Sequence, residues 1–128
     1  MGAPVDRCAA RVYNVGMPYL GDFELLALLA TLRVDDDGYA VPIRREIEAA
    51  TDRRVSRGAL YTTLRRLEDK GYLQSWTGDA TPERGGRPRR FYSVTPAGLE
   101  AVRASRRALM RLWRGLGPVL GTAAGGSE

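Results

Sequence analysis

The side chains best suited to bind another molecule lie between Ser56 and Lys70, where arginines, hydroxyls and a phenol recur. Leu60, Leu64 and Leu67 stand at positions i, i+4 and i+7, which predicts one buried stripe on an amphipathic helix. On the opposite side, an arginine can bond guanine O6 and N7 or a phosphate, and hydroxyls can donate to phosphate oxygens. We therefore predict that DNA is contacted by Ser56, Arg57, Gly58, Tyr61, Thr62, Arg65 and Arg66. The alternative is an ordinary surface helix whose charged side is solvated.

A second basic cluster occupies residues 84–90, with the sequence Arg-Gly-Gly-Arg-Pro-Arg-Arg. Its glycines lack side chains, so the loop can lie close to a nucleic-acid backbone, and Pro88 favours an extended chain before it. An arginine presented in this way suits the negative, narrow minor groove of A·T-rich DNA. We predict that the DNA contacts of this loop come from Arg84, Arg87, Arg89 and Arg90. The alternative is a basic loop that is only solvated.

Positive charge is concentrated in the second part of the chain. Residues 1–50 hold five Lys and Arg against eight Asp and Glu, whereas residues 51–128 hold fifteen against seven. The net charge is +5 and the isoelectric point is near 9.9. A positive field that surrounds and follows the predicted DNA-contacting helix favours a polyanionic partner, and double-stranded DNA is the one we predict.

Several kinds of chemistry are excluded by composition, because the 128 residues include no His and one Cys. A zinc site needs several such ligands, and a Ser-His or Cys-His pair needs a His, so we predict no catalytic residue, no metal and no cofactor. One Cys cannot form an internal disulfide, which favours a cytoplasmic location. No apolar run reaches the roughly 18 residues of a membrane helix, so we expect no membrane partner. A small-molecule effector is an alternative without support, because packing explains the aromatic residues Trp76, Phe91, Tyr92 and Trp113 equally well.

The elements that must position these residues follow from periodicity and helix punctuation. Helices are predicted over 20–34 with Asp22 as the cap, over 41–50, over 56–70, and from Pro96 to about Leu116 after the cap residue Thr95. Strands are predicted over 72–77 and 89–94, joined by the basic loop as a hairpin. The predicted fold is therefore α+β and mainly α, a winged helix-turn-helix DNA-binding domain with a C-terminal dimerisation helix. Its divisions are an N-terminal extension (1–19), the winged helix-turn-helix domain (20–95), the dimerisation helix (96–117) and a disordered tail (118–128).

The last predicted helix has an apolar seam with alternating spacings of three and four residues. The seam consists of Leu99, Val102, Leu109, Trp113 and Leu116, with Arg106 in one slot. Such heptad-like spacing is typical of helices that pair with another helix. We therefore predict a homodimer that binds an inverted repeat.

The chain resembles the PadR family of bacterial transcriptional regulators over roughly residues 20–98. The likeness rests on Leu20–Glu24, Gly38-Tyr39, Gly58–Glu68, Lys70–Leu73, Gly85–Arg87 and Arg90–Gly98. The most specific part is Leu-Tyr-x-x-Leu-x-x-Leu-Glu, followed by the hairpin and Thr-x-x-Gly. In two places the chain departs from the family: Thr62 stands where many members have Pro, and the C-terminal part is a single helix.

This resemblance implies a homodimeric DNA-binding repressor with a C-terminal dimerisation helix. Many members respond to phenolic or drug-like ligands at the dimer interface. The C-terminal part of this chain is shorter than in those members, so we do not expect such a ligand site here. One rival is a winged helix that serves as a protein-interaction module without specific DNA binding. Another is an RNA-binding module, which we disfavour because the major groove of A-form RNA is too narrow for a helix.

Overall fold

The computed structural model of the protein describes residues 20–78 and 88–121. These residues form α1 (Asp22–Val34), a 3₁₀ helix (Asp35–Asp37), α2 (Ala40–Thr51), α3 (Arg57–Asp69), β1 (Leu73–Thr77), β2 (Arg90–Val94), α4 (Pro96–Trp113) and α5 (Gly117–Leu120). The mainly helical arrangement with one small antiparallel sheet confirms the predicted α+β class. The N-terminal extension, most of the basic loop and the end of the predicted tail lie outside the described residues.

Helix α3 begins and ends where its capping residues predict. The Ser56 side chain accepts a hydrogen bond of 3.1 Å from the backbone N–H of Ala59, as an N-cap does. At the other end Gly71 has φ of +83°, a left-handed conformation that glycine adopts without strain. Leu60, Leu64 and Leu67 are almost fully buried, and each such side chain contributes about 1.5–3 kcal/mol to folding. The apolar stripe thus attaches α3 to the core and leaves its polar side outward.

Helix α1 is the centre of the core and packs against α2, α3, β2 and α4. Ala27 and Leu28 have no exposed surface, whereas Leu29 and Leu32 are 40% and 41% exposed, so one apolar edge of this helix faces outward. The prediction that Asp22 caps this helix was wrong. Gly21 is the cap residue, and its backbone N–H donates to Glu24 Oε1 at 2.9 Å.

A long-range ion pair joins the start of α1 to the end of α3. Lys70 Nζ lies 2.9 Å from both carboxylate oxygens of Glu24, whose side chain is largely buried. A buried carboxylate requires such a partner, since an unpaired charge away from water is costly. The pair therefore ties the far end of α3 to the core helix.

The hairpin has the predicted antiparallel pairing, with Leu73 opposite Val94 and Thr77 opposite Arg90. A third segment, which the sequence did not indicate, adds to its edge. Tyr39 forms an isolated bridge with Phe91, and the backbone N–H of Tyr92 donates to the carbonyl of Gly38 at 2.7 Å. The hairpin is thus held to the start of α2 as well as to the turn after α3.

Helix α4 starts as predicted, with the Thr95 side chain accepting from the N–H of Gly98 at 3.0 Å. It ends at Trp113, earlier than the predicted Leu116, and Gly115 then takes a left-handed φ of +82°. The short helix α5 follows, so the structure describes residues 118–120 as helical where the sequence predicted a disordered tail.

No helix within residues 20–78 or 88–121 has the length and apolar character that a bilayer span requires.

Candidate nucleic-acid interface

The outward side of α3 carries a continuous set of exposed polar groups. All seven residues predicted there are exposed, namely Ser56, Arg57, Gly58, Tyr61, Thr62, Arg65 and Arg66. A Cβ built on Gly58 would meet no atom within 4 Å, so this glycine leaves open space beside the helix. The structure therefore presents these groups together, on a helix whose opposite side is buried.

The end of the hairpin next to the loop holds its two described arginines in defined positions. The Arg89 guanidinium lies over the Tyr39 ring, 4.2 Å from the ring centroid, a cation–π geometry that restrains a long side chain. Arg90 points to the other face of the hairpin, where its Nη2 lies 3.9 Å from Glu68 Oε2. Arg84 and Arg87 lie outside the described residues. Sequence reasoning missed both Tyr39 and Glu68 as partners of these arginines.

Aromatic rings support the face of the hairpin that carries Arg89. Phe91 contacts Tyr39 edge to face at a centroid distance of 5.6 Å and stacks on Trp76 at 5.9 Å. A side chain at Gly78 would collide with the Phe91 ring, so the chain passes close to these aromatics where it leaves β1. Phe91 thus contacts both other rings, which agrees with a packing role for it, whereas Trp76 keeps half of its surface exposed.

A polar concavity of about 560 Å³ lies between the outward side of α3 and the hairpin. It is lined by Tyr61, Arg65, Glu68, Asp69, Arg90 and Tyr92. Burial raises the pKa of the Tyr92 phenol above its ordinary value, and the nearby Arg90 guanidinium acts in the opposite direction. The phenol is therefore protonated at neutral pH. The concavity brings arginines from the helix and the hairpin to the same place.

The predicted dimerisation residues separate into two groups. Val102 is 9% exposed and belongs to the core of its own chain, so we remove it from the candidate dimer surface. Leu99 is partly buried in the same part of the helix. Leu109, Trp113 and Leu116 are 45%, 60% and 40% exposed. Further exposed apolar residues that the sequence analysis missed are Met110, Leu112, Val119 and Leu120. The exposed apolar side chains at the end of α4 and on α5 thus form an apolar surface, which is bordered by the arginines around Met110.

Within residues 20–78 and 88–121, no three His, Cys, Asp or Glu side chains are grouped so that they could hold a metal ion.

Comparison with known proteins identifies relatives of the described region. Residues 28–104 match the model of the Transcriptional regulator PadR-like family. Transcriptional regulator Rv3488 of Mycobacterium tuberculosis is 49% identical over 61 residues, which cover 48% of this chain and 53% of that protein. The match therefore spans about half the length of this curated relative.

Two solved structures with the same fold extend the comparison. A PadR family transcription regulator from Clostridium difficile R20291 superposes with a TM-score of 0.64 at 19% identity, covering 79% of this chain and all of that one. A padr family transcriptional regulator from Eggerthella lenta DSM 2243 superposes with a TM-score of 0.55 at 27% identity, covering 78% and 88%.

The matched segment contains the second half of α1, all of α2 and α3, the hairpin and the first half of α4, and its relatives are regulators rather than enzymes. The likeness in fold confirms the predicted winged helix-turn-helix architecture. Since the family model covers more than half of the chain, the protein belongs to the PadR-like family of transcriptional regulators.

Proposed function

We propose that this protein binds double-stranded DNA as a homodimer in the cytoplasm and represses transcription from an inverted-repeat operator. The observation that supports DNA binding most directly is the one-sided burial of α3. Its leucines lie in the core, and its arginines, hydroxyls and phenol are exposed together. A single helix with one polar side has the width of the major groove, where its side chains reach base edges.

The hairpin supplies the second part of the proposed DNA contact. Arg89 and Arg90 lie at the loop end of the hairpin, and in the sequence residues 84 and 87 belong to the same loop. In this proposal α3 occupies the major groove while the loop arginines contact the backbone or the adjacent minor groove. Residues 20–95 then act as the DNA-binding unit.

The apolar surface of α4 and α5 supplies the proposed dimer contact. Leu109, Leu112 and Trp113 project from one side of α4, and leaving them exposed on a monomer would create an unusual apolar patch. A two-fold partner covers such a patch with the same patch of its own chain. The two α3 helices would then meet half-sites about 34–36 Å apart on one face of the DNA. Repression follows if a dimer that covers its operator excludes polymerase from an overlapping promoter.

The direct test is selection of binding sites from a library of random duplexes, followed by titration of the enriched site. We expect an inverted repeat, protection of both half-sites, and much weaker binding to the same sequence as duplex RNA. A reporter gene placed behind the enriched site then measures the sign of regulation. If no duplex is enriched and the protein instead captures a protein partner through α4 and α5, the interaction-module alternative is correct.

Salt dependence provides the first prediction. If α3 and the hairpin lie along phosphates, the logarithm of the DNA association constant should fall by about 0.9 for each phosphate contact per tenfold rise in salt. For six contacts in the dimer, affinity should fall by roughly three orders of magnitude between about 50 and 200 mM salt. Fluorescence anisotropy with a labelled duplex measures this slope, and an almost flat dependence would exclude an interface dominated by phosphate contacts.

The second prediction concerns Arg65, an exposed arginine in the middle of α3. If its guanidinium bonds a guanine, Arg65→Ala should reduce the preference for the selected site over random DNA by about 1–3 kcal/mol. The matched control is Arg111→Ala, which removes the same charge from an exposed position on α4. An equal loss on selected and random DNA would show that Arg65 only anchors the backbone.

A further inference from the structure

We propose that Glu68 is a positioning residue that fixes the hairpin, and Arg90 with it, against α3. This inference rests on the proposed DNA-binding function, because it explains how α3 and the hairpin keep a fixed distance from each other on the DNA. The carboxylate lies on α3 and contacts both strands of the hairpin. Glu68 Oε2 accepts a hydrogen bond of 2.5 Å from Ser75 Oγ on β1 and lies 3.9 Å from Arg90 Nη2 on β2.

The register of the hairpin brings these partners to one face. Ser75 pairs with Tyr92, and Arg90 precedes Tyr92 by two residues, so all three side chains point to the same side of the sheet. Tyr92 is buried, which shows that this side faces the rest of the protein. Glu68 therefore contacts the inner face of the hairpin, whereas Tyr39 and Arg89 belong to the other face.

The position of Glu68 along α3 connects this contact to the proposed DNA surface. Tyr61, Arg65 and Glu68 stand at i, i+4 and i+7, so they form one row on the helix. Arg90 reaches the end of this row from the hairpin, and all four residues line the same concavity. Through its contacts, Glu68 places a hairpin arginine next to a helix arginine, where both can meet one stretch of DNA backbone.

The ion pair between Glu68 and Arg90 contributes little to the stability of the fold, so its effect on the position of the hairpin can be tested separately. The Arg90 side chain is 56% exposed, and an ion pair at 3.9 Å with an exposed partner adds little to folding. A residue that only supported the fold would change the melting temperature without altering the motion of the hairpin in the folded protein. Loss of a positioning residue should increase the motion of the hairpin in the folded protein, with little change in the melting temperature.

Four variants separate charge from contact. Glu68→Ala removes both contacts, Ser75→Ala removes the hydrogen bond and keeps the carboxylate, and Glu68→Gln keeps an acceptor oxygen and removes the charge. Asp69→Asn is the matched control, because Asp69 lines the same concavity. Among the described residues, no hydrogen bond or ion pair joins Asp69 to either strand.

The first measurement is amide hydrogen exchange of residues 73–77 and 90–94 in the protein without DNA. We expect exchange about tenfold faster in Glu68→Ala and Ser75→Ala, a smaller change in Glu68→Gln, and none in Asp69→Asn, since one charge-assisted hydrogen bond is lost in the first two. Unchanged exchange in both Glu68→Ala and Ser75→Ala would overturn the proposal. This measurement decides the role of Glu68 even if the wild-type protein binds no duplex, a result that would refute the proposed function alone.

The second measurement is affinity for the selected DNA site. Glu68→Ala and Ser75→Ala should bind about tenfold more weakly, because the hairpin contacts lose their fixed spacing from α3. Asp69→Asn should bind at least as tightly as the wild type, since it loses a negative charge near phosphates. If Glu68→Ala instead binds as tightly as Asp69→Asn, Glu68 is only a repulsive charge and the positioning role is wrong.

Discussion

Replacing Leu109 and Trp113 together with Ala is expected to convert the proposed dimer into a folded monomer. Both side chains are about half exposed in the single chain, so their removal costs the monomer little. Full burial of such a side chain contributes about 1.5–3 kcal/mol, so covering the exposed half of all four side chains in a two-fold dimer contributes about 3–6 kcal/mol. The dissociation constant should therefore rise by about a thousandfold or more. Light scattering across a dilution series measures the change in mass.

DNA binding should weaken with this loss of assembly, because each half-site must then be bound separately. The matched control is Val41→Ala, which removes an exposed apolar side chain from α2 and should leave the mass unchanged. Two results would contradict the arrangement: a wild-type protein that is monomeric at tens of micromolar, or a double variant that is still a tight dimer.

Gly98→Ala is expected to have the largest effect on stability of any single methyl addition in the described chain. A Cβ at this position would overlap the carbonyl oxygen of Tyr72 and would also press on the side chain of Val94. A backbone oxygen cannot rotate away, so α4 must separate from the turn before β1. Overpacking of this kind costs about 3 kcal/mol, equivalent to a fall in melting temperature of roughly 10–20 °C for a domain of this size.

Gly58→Ala is the matched control for this prediction, because its added methyl group enters open space on an exposed helix. The better helix propensity of Ala should stabilise the protein by about 0.5–1 kcal/mol. Thermal unfolding followed by circular dichroism compares the two variants. A Gly98→Ala protein that melts within two or three degrees of the wild type would show that α4 does not pack tightly against the turn before β1 and against Val94.

Local signals in the sequence predicted the elements of the fold and the exposed side of α3. Ser56, Gly71 and the three leucines between them act on their immediate neighbours, and such effects depend little on the rest of the chain. The two strands of the hairpin followed in the same way from two short segments with strand-forming side chains, although their register did not. These are the features in which the sequence-based prediction and the structure agree.

Contacts between residues that are distant in sequence were not predictable from these signals. Glu24 accepts from the N–H of the cap residue Gly21 while paired with Lys70, 46 residues away, and the sequence indicated Asp22 as the cap instead. Tyr39 joins the hairpin edge and supports Arg89 only because the fold brings residues about 50 positions apart together. In α4, spacing alone cannot separate Val102, which meets the core, from apolar residues that remain exposed further along.

The attachment of α3 by only one side has an evolutionary consequence. Substitutions at buried Leu64 should cost about 2–5 kcal/mol, which is enough to unfold a domain of ordinary stability. Substitutions at exposed Thr62 or Arg65 change little that the fold depends on. After duplication of the gene, one copy can therefore explore new target sites by changing these exposed positions while the stability threshold is respected. The same division makes α3 a practical place to redirect this regulator to a chosen promoter.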